Sequence, residues 1–211
     1  MKSLTTTQTV EMIIAACDAI VESKPYLTEV DSKIGDGDHG IGMAGGMEKA
    51  KAALIEKGPF EDINTIFKTT GMAMLNSMGG ASGVIFGSMF LGGIKKLESY
   101  SELDGELFTK IMRGSLEAIK TRGKAQVGDK TMVDAFEPAV IAMENNDKED
   151  IVSLLADAEK ASLEGVENTK KYTAKFGRAK SLLERAIGYQ DAGATSVSII
   201  FKAMHSYVKE L

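Results

Sequence analysis

Apolar positions recur along most of the chain at three- and four-residue spacing, the signature of helices that each bury one stripe. Between Thr5 and Lys24 the stripe runs through Val10, Ile14, Cys17 and Val21, and Pro25 is expected to stop that helix. Residues 25–38 read as a loop. A second helical pattern covers Ile41 to Lys57 and closes at Gly58-Pro59. Asp62 stands as the N-cap of a third, Ile63 to Ser77, with Ile66, Phe67 and Met74 inward. Gly79-Gly80-Ala81-Ser82-Gly83 opens a fourth, strongly apolar helix to Leu97, in which Gly80, Gly83 and Gly87 are spaced for close packing. Leu103 to Thr121 follows as an amphipathic helix through Leu107, Ile111, Leu116 and Ile119. Thr131 to Asn145, with Pro138 near its middle, Lys148 to Lys175, and a last helix to the C-terminus complete the series. No alternation of convincing length predicts a strand, and no repeat or linker divides the chain. The expected fold is all-α, with about eight helices in one domain spanning 1–211.

Composition narrows the class without fixing the activity. With 44% hydrophobic and 26% charged residues, the 211-residue chain has the make-up of an ordinary globular domain. A net charge of −5 leaves no basic stripe to displace counterions from nucleic acid, so that partner is not expected. The most apolar stretch, Val84 to Ile94, is too short to span a bilayer, and no basic segment with a long apolar run opens the chain, so a cytoplasmic location off the membrane is expected. The single cysteine, Cys17, lies on an apolar stripe and reads as a buried, inert thiol.

The chemistry concentrates between Asp31 and Gly42, where Asp31, Asp36 and Asp38 share a dozen residues with four glycines and His39. The glycines match G-x-G-x-x-G twice, but a dinucleotide turn offers bare N–H groups to a pyrophosphate, and Asp36 and Asp38 would repel one. A calcium loop fails too, because Gly40, Ile41 and Met47 occupy positions where ligands and the turn glycine belong. Mg²⁺ remains, since it takes one or two carboxylates, water and the oxygens of a bound polyphosphate. An acidic turn that merely caps a helix is the plainer alternative. His39 and Gly40 fall at a helix start, where free N–H groups and the dipole favour phosphate.

Three more glycine-rich turns bear on the same ligand. Gly79 to Ser82 serves either helix packing or as a nest of N–H groups with a hydroxyl. Arg122 to Thr131 imitates a phosphate-binding P-loop, but Asp129 intrudes before Lys130 and a helix precedes it, so it is not one, though it can still touch a nucleotide. Gly177 to Thr195 is rich in Gly, Arg, Asp and Thr with no core-packing purpose; Arg178 and Arg185 are either solvated charges or, for Arg178, a phosphate clamp. Four such turns between helices are expected to gather at one end of the bundle.

Together these turns resemble the nucleotide-binding L subunit of dihydroxyacetone kinase. The matching segments are D-x-x-I-G-D-G-D-H-G at Asp31 to Gly40, G-G-A-S-G at Gly79 to Gly83, G-D-K-T-M at Gly128 to Met132, and G-R-A with E-R-A-I-G-Y-Q-D-A-G-A-T-S at Gly177 to Ser196. The resemblance implies an antiparallel up-and-down barrel of eight helices that holds ADP with two Mg²⁺ ions at one rim. It implies Asp31, Asp36 and Asp38 as metal ligands, and His39, Gly40, Ile41, Gly42, Ala81 and Ser82 around the phosphates. It also implies Gly123 and Met132 around adenosine, with Arg178, Asp191, Ala192 and Gly193 beside the nucleotide. Many relatives have Asn where Gly42 stands, which would leave backbone donors in place of a side chain, and His where Tyr189 stands.

The activity so implied is a phosphotransferase in which resident ADP, cycling with ATP, accepts a phosphoryl group from a phosphohistidine partner and passes it to dihydroxyacetone on a separate subunit. Other implied partners are a second copy of the chain, as a homodimer, and a transcription regulator. Competing readings are an ATP-dependent ketose kinase subunit, a regulatory protein whose nucleotide state is read by others, and a chain in which His39 itself carries the phosphoryl group.

Overall fold

The computed structural model describes residues 1–95 and 97–211. Among them are nine α-helices, one 3-10 stretch and one short ribbon. Helix α1 (Thr6–Glu22) starts at a reciprocal cap: Thr5 Oγ1 accepts from the Gln8 N–H, and the Gln8 side chain accepts from the Thr5 N–H. Its buried face is Thr9, Met12, Ile13, Ala16, Cys17 and Ile20, so the expected stripe is rotated, with Val10, Ile14 and Val21 at its flank. Burial pushes the Cys17 thiol up to about 12, in keeping with an inert side chain.

Pro25 does not introduce a loop. It occupies the first turn of a new helix, α2 (Lys24–Ile34), where its missing N–H has no partner to lose. Only residues 35–38 remain as a turn before α3 (His39–Lys57), so Asp31 is helical. Helix α4 (Ile63–Ser77) begins at the Asp62 cap, as the sequence predicts. Helix α5 (Gly80–Leu91) stops short of Leu97, because Gly92 and Gly93 turn tightly against the next helix, with Gly93 backed on the Ile111 carbonyl. Then come α6 (Gly105–Gly123), α7 (Val133–Asn145), α8 (Ile151–Thr169), a 3-10 stretch (Arg178–Ala186) and α9 (Ala192–Lys209). Leu103 is not helical: β1 (Ser3–Thr5) and β2 (Glu102–Asp104) form a small antiparallel ribbon, too short for an alternating pattern to predict.

The helices pack in chain order, α3 on α4 and so on to α8 on α9, and α1 closes the circle by packing on both α3 and α9. Eight helices thus make a closed antiparallel ring, with α2 laid across α3 and α9 outside it. Phe67 of α4 meets Phe90 of α5 and Phe108 of α6 at centroid distances of 6.3 Å, and Phe136 of α7 stacks on Phe201 of α9 at 6.1 Å. Each such fully buried aromatic contributes roughly 1.5–3 kcal/mol. Up-and-down order has a consequence for chemistry. The N-termini of α3, α5, α7 and α9 fall at one rim, and the β1–β2 ribbon lies at the other.

Candidate metal and phosphate site at one rim

The three aspartates reach the rim from different elements: Asp31 from the last turn of α2, Asp36 from the turn, and Asp38 as the residue before α3. One carboxylate oxygen of each lies within 4.8 Å of the others. Backbone geometry fixes them there. Gly37 adopts φ +77°, open to glycine at little cost, and its N–H donates to Asp31 Oδ2 at 2.8 Å, with the His39 N–H at 3.4 Å from the same oxygen. Asp36 Oδ2 is also 2.8 Å from Arg178 Nε. Burial, then the neighbouring Asp36 and Asp31 charges, raise the Asp38 carboxyl above its usual range, against the pull of Arg178. Three crowded carboxylates are a donor set suited to a divalent cation, and their all-oxygen character suits Mg²⁺.

His39 opens α3. Its Nε2 lies 2.8 Å from Ser196 Oγ on α9, and its ring tilts against Phe86 of α5 at 5.9 Å. Burial depresses its pKa, so the ring is neutral near pH 7. It therefore ties the start of α3 to α9 and to α5. Gly40, the next residue, is buried against α2, whereas Ile41 is exposed and Gly42 faces open space.

On the opposite flank, Gly79 caps α5, and Gly80, Ala81 and Ser82 form its exposed first turn; Gly80 has φ +67° and serves the turn, not helix packing. Gly83 and Gly87 do pack closely, Gly83 on the Met78 carbonyl and Gly87 on that of Gly71. Gly123 ends α6 with Ile85 of α5 against it. Met132 precedes α7, buried, and touches Gly193 at the start of α9. Asp191 caps α9 through Oδ2, which accepts from the Ala194 N–H at 2.7 Å, and Ala192 follows, buried. Arg178 is exposed and reaches the rim through Asp36. Direct contacts therefore join the aspartates to His39, Arg178, Ala192, Gly193 and Met132, while Ala81, Ser82 and Gly123 reach this group only through α5.

The 128–131 turn holds residues whose part the sequence does not disclose. Asp134 accepts from the Gly128 N–H at 2.6 Å and the Thr131 N–H at 2.7 Å, shaping the turn from inside. Lys130, the P-loop-like lysine, is turned into the protein: it is 2% exposed, and Nζ donates to the carbonyls of Thr169 (2.7 Å) and Tyr189 (2.5 Å). Chemically, the rim can hold divalent cations on carboxylates and an anion on four positive helix ends at once.

These features define an all-helical phosphotransferase subunit, and the comparisons agree: the chain belongs to the DAK2 domain family, whose model matches residues 33–206. It is of the L-subunit type within dihydroxyacetone kinases. It is 42% identical to the ADP-binding subunit DhaL of a PEP-dependent dihydroxyacetone kinase from Listeria innocua, over 89% of each chain. With the Escherichia coli ADP-binding subunit DhaL it shares 36% over 99% of this chain and 100% of that one. The crystal structure of the dihydroxyacetone kinase of C. freundii superposes with a TM-score of 0.75 at 25% identity, covering 94% of this chain; the chain spans 34% of that longer protein.

Proposed function

We propose that the chain is the ADP-binding subunit of a phosphoenolpyruvate-dependent dihydroxyacetone kinase, in which ADP held here with two Mg²⁺ relays a phosphoryl group from a phosphohistidine of a phosphotransferase-system partner to dihydroxyacetone on a separate substrate subunit. The observation that carries this reading is the set of three carboxylates within 4.8 Å among four helix N-termini. Aspartates alone would repel a polyphosphate, and helix ends that favour one anion do not by themselves let acids and a polyphosphate share a rim; cations between the two make both favourable.

In this reading Asp31, Asp36 and Asp38 are the metal ligands. The N–H groups of His39 to Gly42 and of Ala81 and Ser82 receive phosphate oxygens, and the open space beside Gly42 lets a phosphate approach the backbone. Gly123 and Met132 line the adenosine, while Arg178 and the Asp191 to Gly193 start of α9 close over the nucleotide. His39 positions α3 against α9 and takes no phosphoryl group, since its Nε2 is engaged by Ser196. The chain contributes positioning and charge compensation, as phosphoryl transfer requires, and no covalent nucleophile. Residues 1–211 act as one nucleotide-binding domain, and the chain works off the membrane; among the described residues no helix is long and apolar enough to cross one.

Reconstitution tests the reading. The chain should support triose phosphorylation when given phosphoenolpyruvate, the general phosphotransferase proteins, the phosphohistidine donor and the substrate subunit, and ATP alone should give little turnover. Steady product from ATP without the phosphoenolpyruvate chain would replace this reading with an ordinary ATP-dependent ketose kinase. Acid-labile label on His39, with none on nucleotide, would make the histidine the carrier.

A further inference from the structure

The loop between α8 and α9 leaves and re-enters the body at one point. Lys130 Nζ bonds the carbonyl of Thr169, where the loop departs, and that of Tyr189, where it returns. Beside it, the Gly188 N–H donates to the Lys170 carbonyl at 2.8 Å and the Asp191 N–H to Thr169 Oγ1 at 3.0 Å, so the neck is closed. A second attachment comes from the same turn: the Lys175 N–H donates to the Asp129 carbonyl at 3.1 Å, and Lys175 Nζ lies 2.6 Å from Asp129 Oδ1. Between neck and tip the loop touches α2 but has little hold in the core, since Ala186 is the one residue buried in Arg178–Ala186. Yet Arg178, which it carries, sits 2.8 Å from Asp36. A compact loop with adjoining ends, held by few internal contacts, takes its orientation from whatever grips the neck.

We infer that Lys130 is a positioning residue: gripping both ends of the 170–189 loop with one buried ammonium, it sets Arg178 against the metal and phosphate site and is not itself a phosphate ligand. The ammonium suits this task because it offers three donors and no acceptor, and two of them are satisfied by carbonyls from opposite ends of the loop. Burial disfavours the charged form, but Asp191 and Asp134 stand close enough to oppose that. The inference rests on the nucleotide-binding reading above for its consequence, and on the neck geometry alone for its mechanism.

The test separates the two. Hydrogen exchange of the nucleotide-free protein reads the neck: Lys130→Met should speed exchange at the Lys175 and Gly188 amides, with α1 and α6 unchanged. Calorimetry with Mg²⁺ and ADP reads the site: Lys130→Met should weaken binding about tenfold or more, the worth of one or two charge-assisted hydrogen bonds. Lys130→Gln, which keeps a donor, should recover part of both, and it replaces Lys130→Met should the latter fail to fold. In an Arg178→Ala background the lysine substitution should change affinity by less than about twofold, because the residue through which it acts is gone. Loss of affinity with unchanged loop exchange, or full additivity with Arg178→Ala, would show Lys130 acting directly on the ligand and overturn the inference. Unchanged affinity in Lys130→Met would overturn it as well. A wild-type protein that binds no Mg²⁺ and ADP refutes the nucleotide reading instead, and leaves the neck to be judged by exchange.

Discussion

Asp191 caps α9 while standing half-buried near Asp134 and Asp31, and this conflict is measurable. Burial, followed by the Asp134 and Asp31 charges, pushes its pKa up to about 7, against the pull of the Ala194 N–H and Lys130. An acid whose folded pKa exceeds its unfolded value holds its proton better in the folded chain, so stability falls as pH rises from about 4 to about 7 and then levels. Asn at this position keeps an oxygen for the cap without the charge. Asp191→Asn should therefore be more stable than wild type at pH 8 by on the order of 1–3 kcal/mol, with the gap closing below about pH 4. Urea unfolding at several pH values checks this, and a gap independent of pH would contradict the assigned cause. Residues differ in how far the chain advertises them. The clustering of Asp31, Asp36 and Asp38 is legible because three acids with glycines so close in sequence have few structural uses. Lys130 is not, because its partners lie 39 and 59 residues away, and its local setting points to phosphate instead.

Between elements, the placement of α2 against α3 decides where the aspartates meet. A Cβ on Gly40 would lie 2.4 Å from Thr28 Oγ1 and 2.5 Å from the Lys24 carbonyl, and the latter is backbone that cannot swing aside. Gly40→Ala must therefore push α2 from α3, carrying Asp31 away from Asp38, at a cost of roughly 1–3 kcal/mol. The variant should keep its helical circular dichroism yet bind Mg²⁺ and ADP at least about tenfold more weakly, since metal sites tolerate little displacement of their ligands. Wild-type affinity in a folded Gly40→Ala protein would mean that the α2–α3 contact does not set the site. This is also the place where sequence reasoning most misjudged the fold. Pro25 reads as a stop, and only the packing of Leu27, Val30 and Ile34 makes the following residues a helix, with Pro25 as its first turn. By contrast, Asp62 announces α4 correctly because a cap is a local device, bonded three residues on. The early end of α5 is a tertiary matter, set by Gly92 and Gly93 meeting α6.

At the scale of the whole molecule, an even number of helices in up-and-down order sends four N-termini to the same rim, and periodicity with short connections suffices to predict that gathering. Which residues touch there required the ring to close through α1. The proposed ligands raise a question of charge. ADP would bring roughly three negative charges at neutral pH and the aspartates three more, against which two Mg²⁺ would set four positive ones and the helix ends a fraction each. Without the cations, six negative charges would face one another with Arg178 as the nearest compensation. Bound nucleotide and metal should therefore leave together. If the Asp31 to Gly42, Gly79 to Ser82, Gly123 to Met132 and Arg178 to Gly193 segments enclose ADP as proposed, it should remain with the protein through purification and exchange slowly with labelled ADP in excess Mg²⁺. Excess EDTA should speed its release by at least about tenfold, the equivalent of one lost charge-assisted contact or more. Asp36→Asn should imitate EDTA in part, by removing one ligand and freeing Arg178. Nucleotide that stays bound at full stoichiometry in EDTA, with the same exchange rate as in Mg²⁺, would mean that the three aspartates serve the fold and not the ligand.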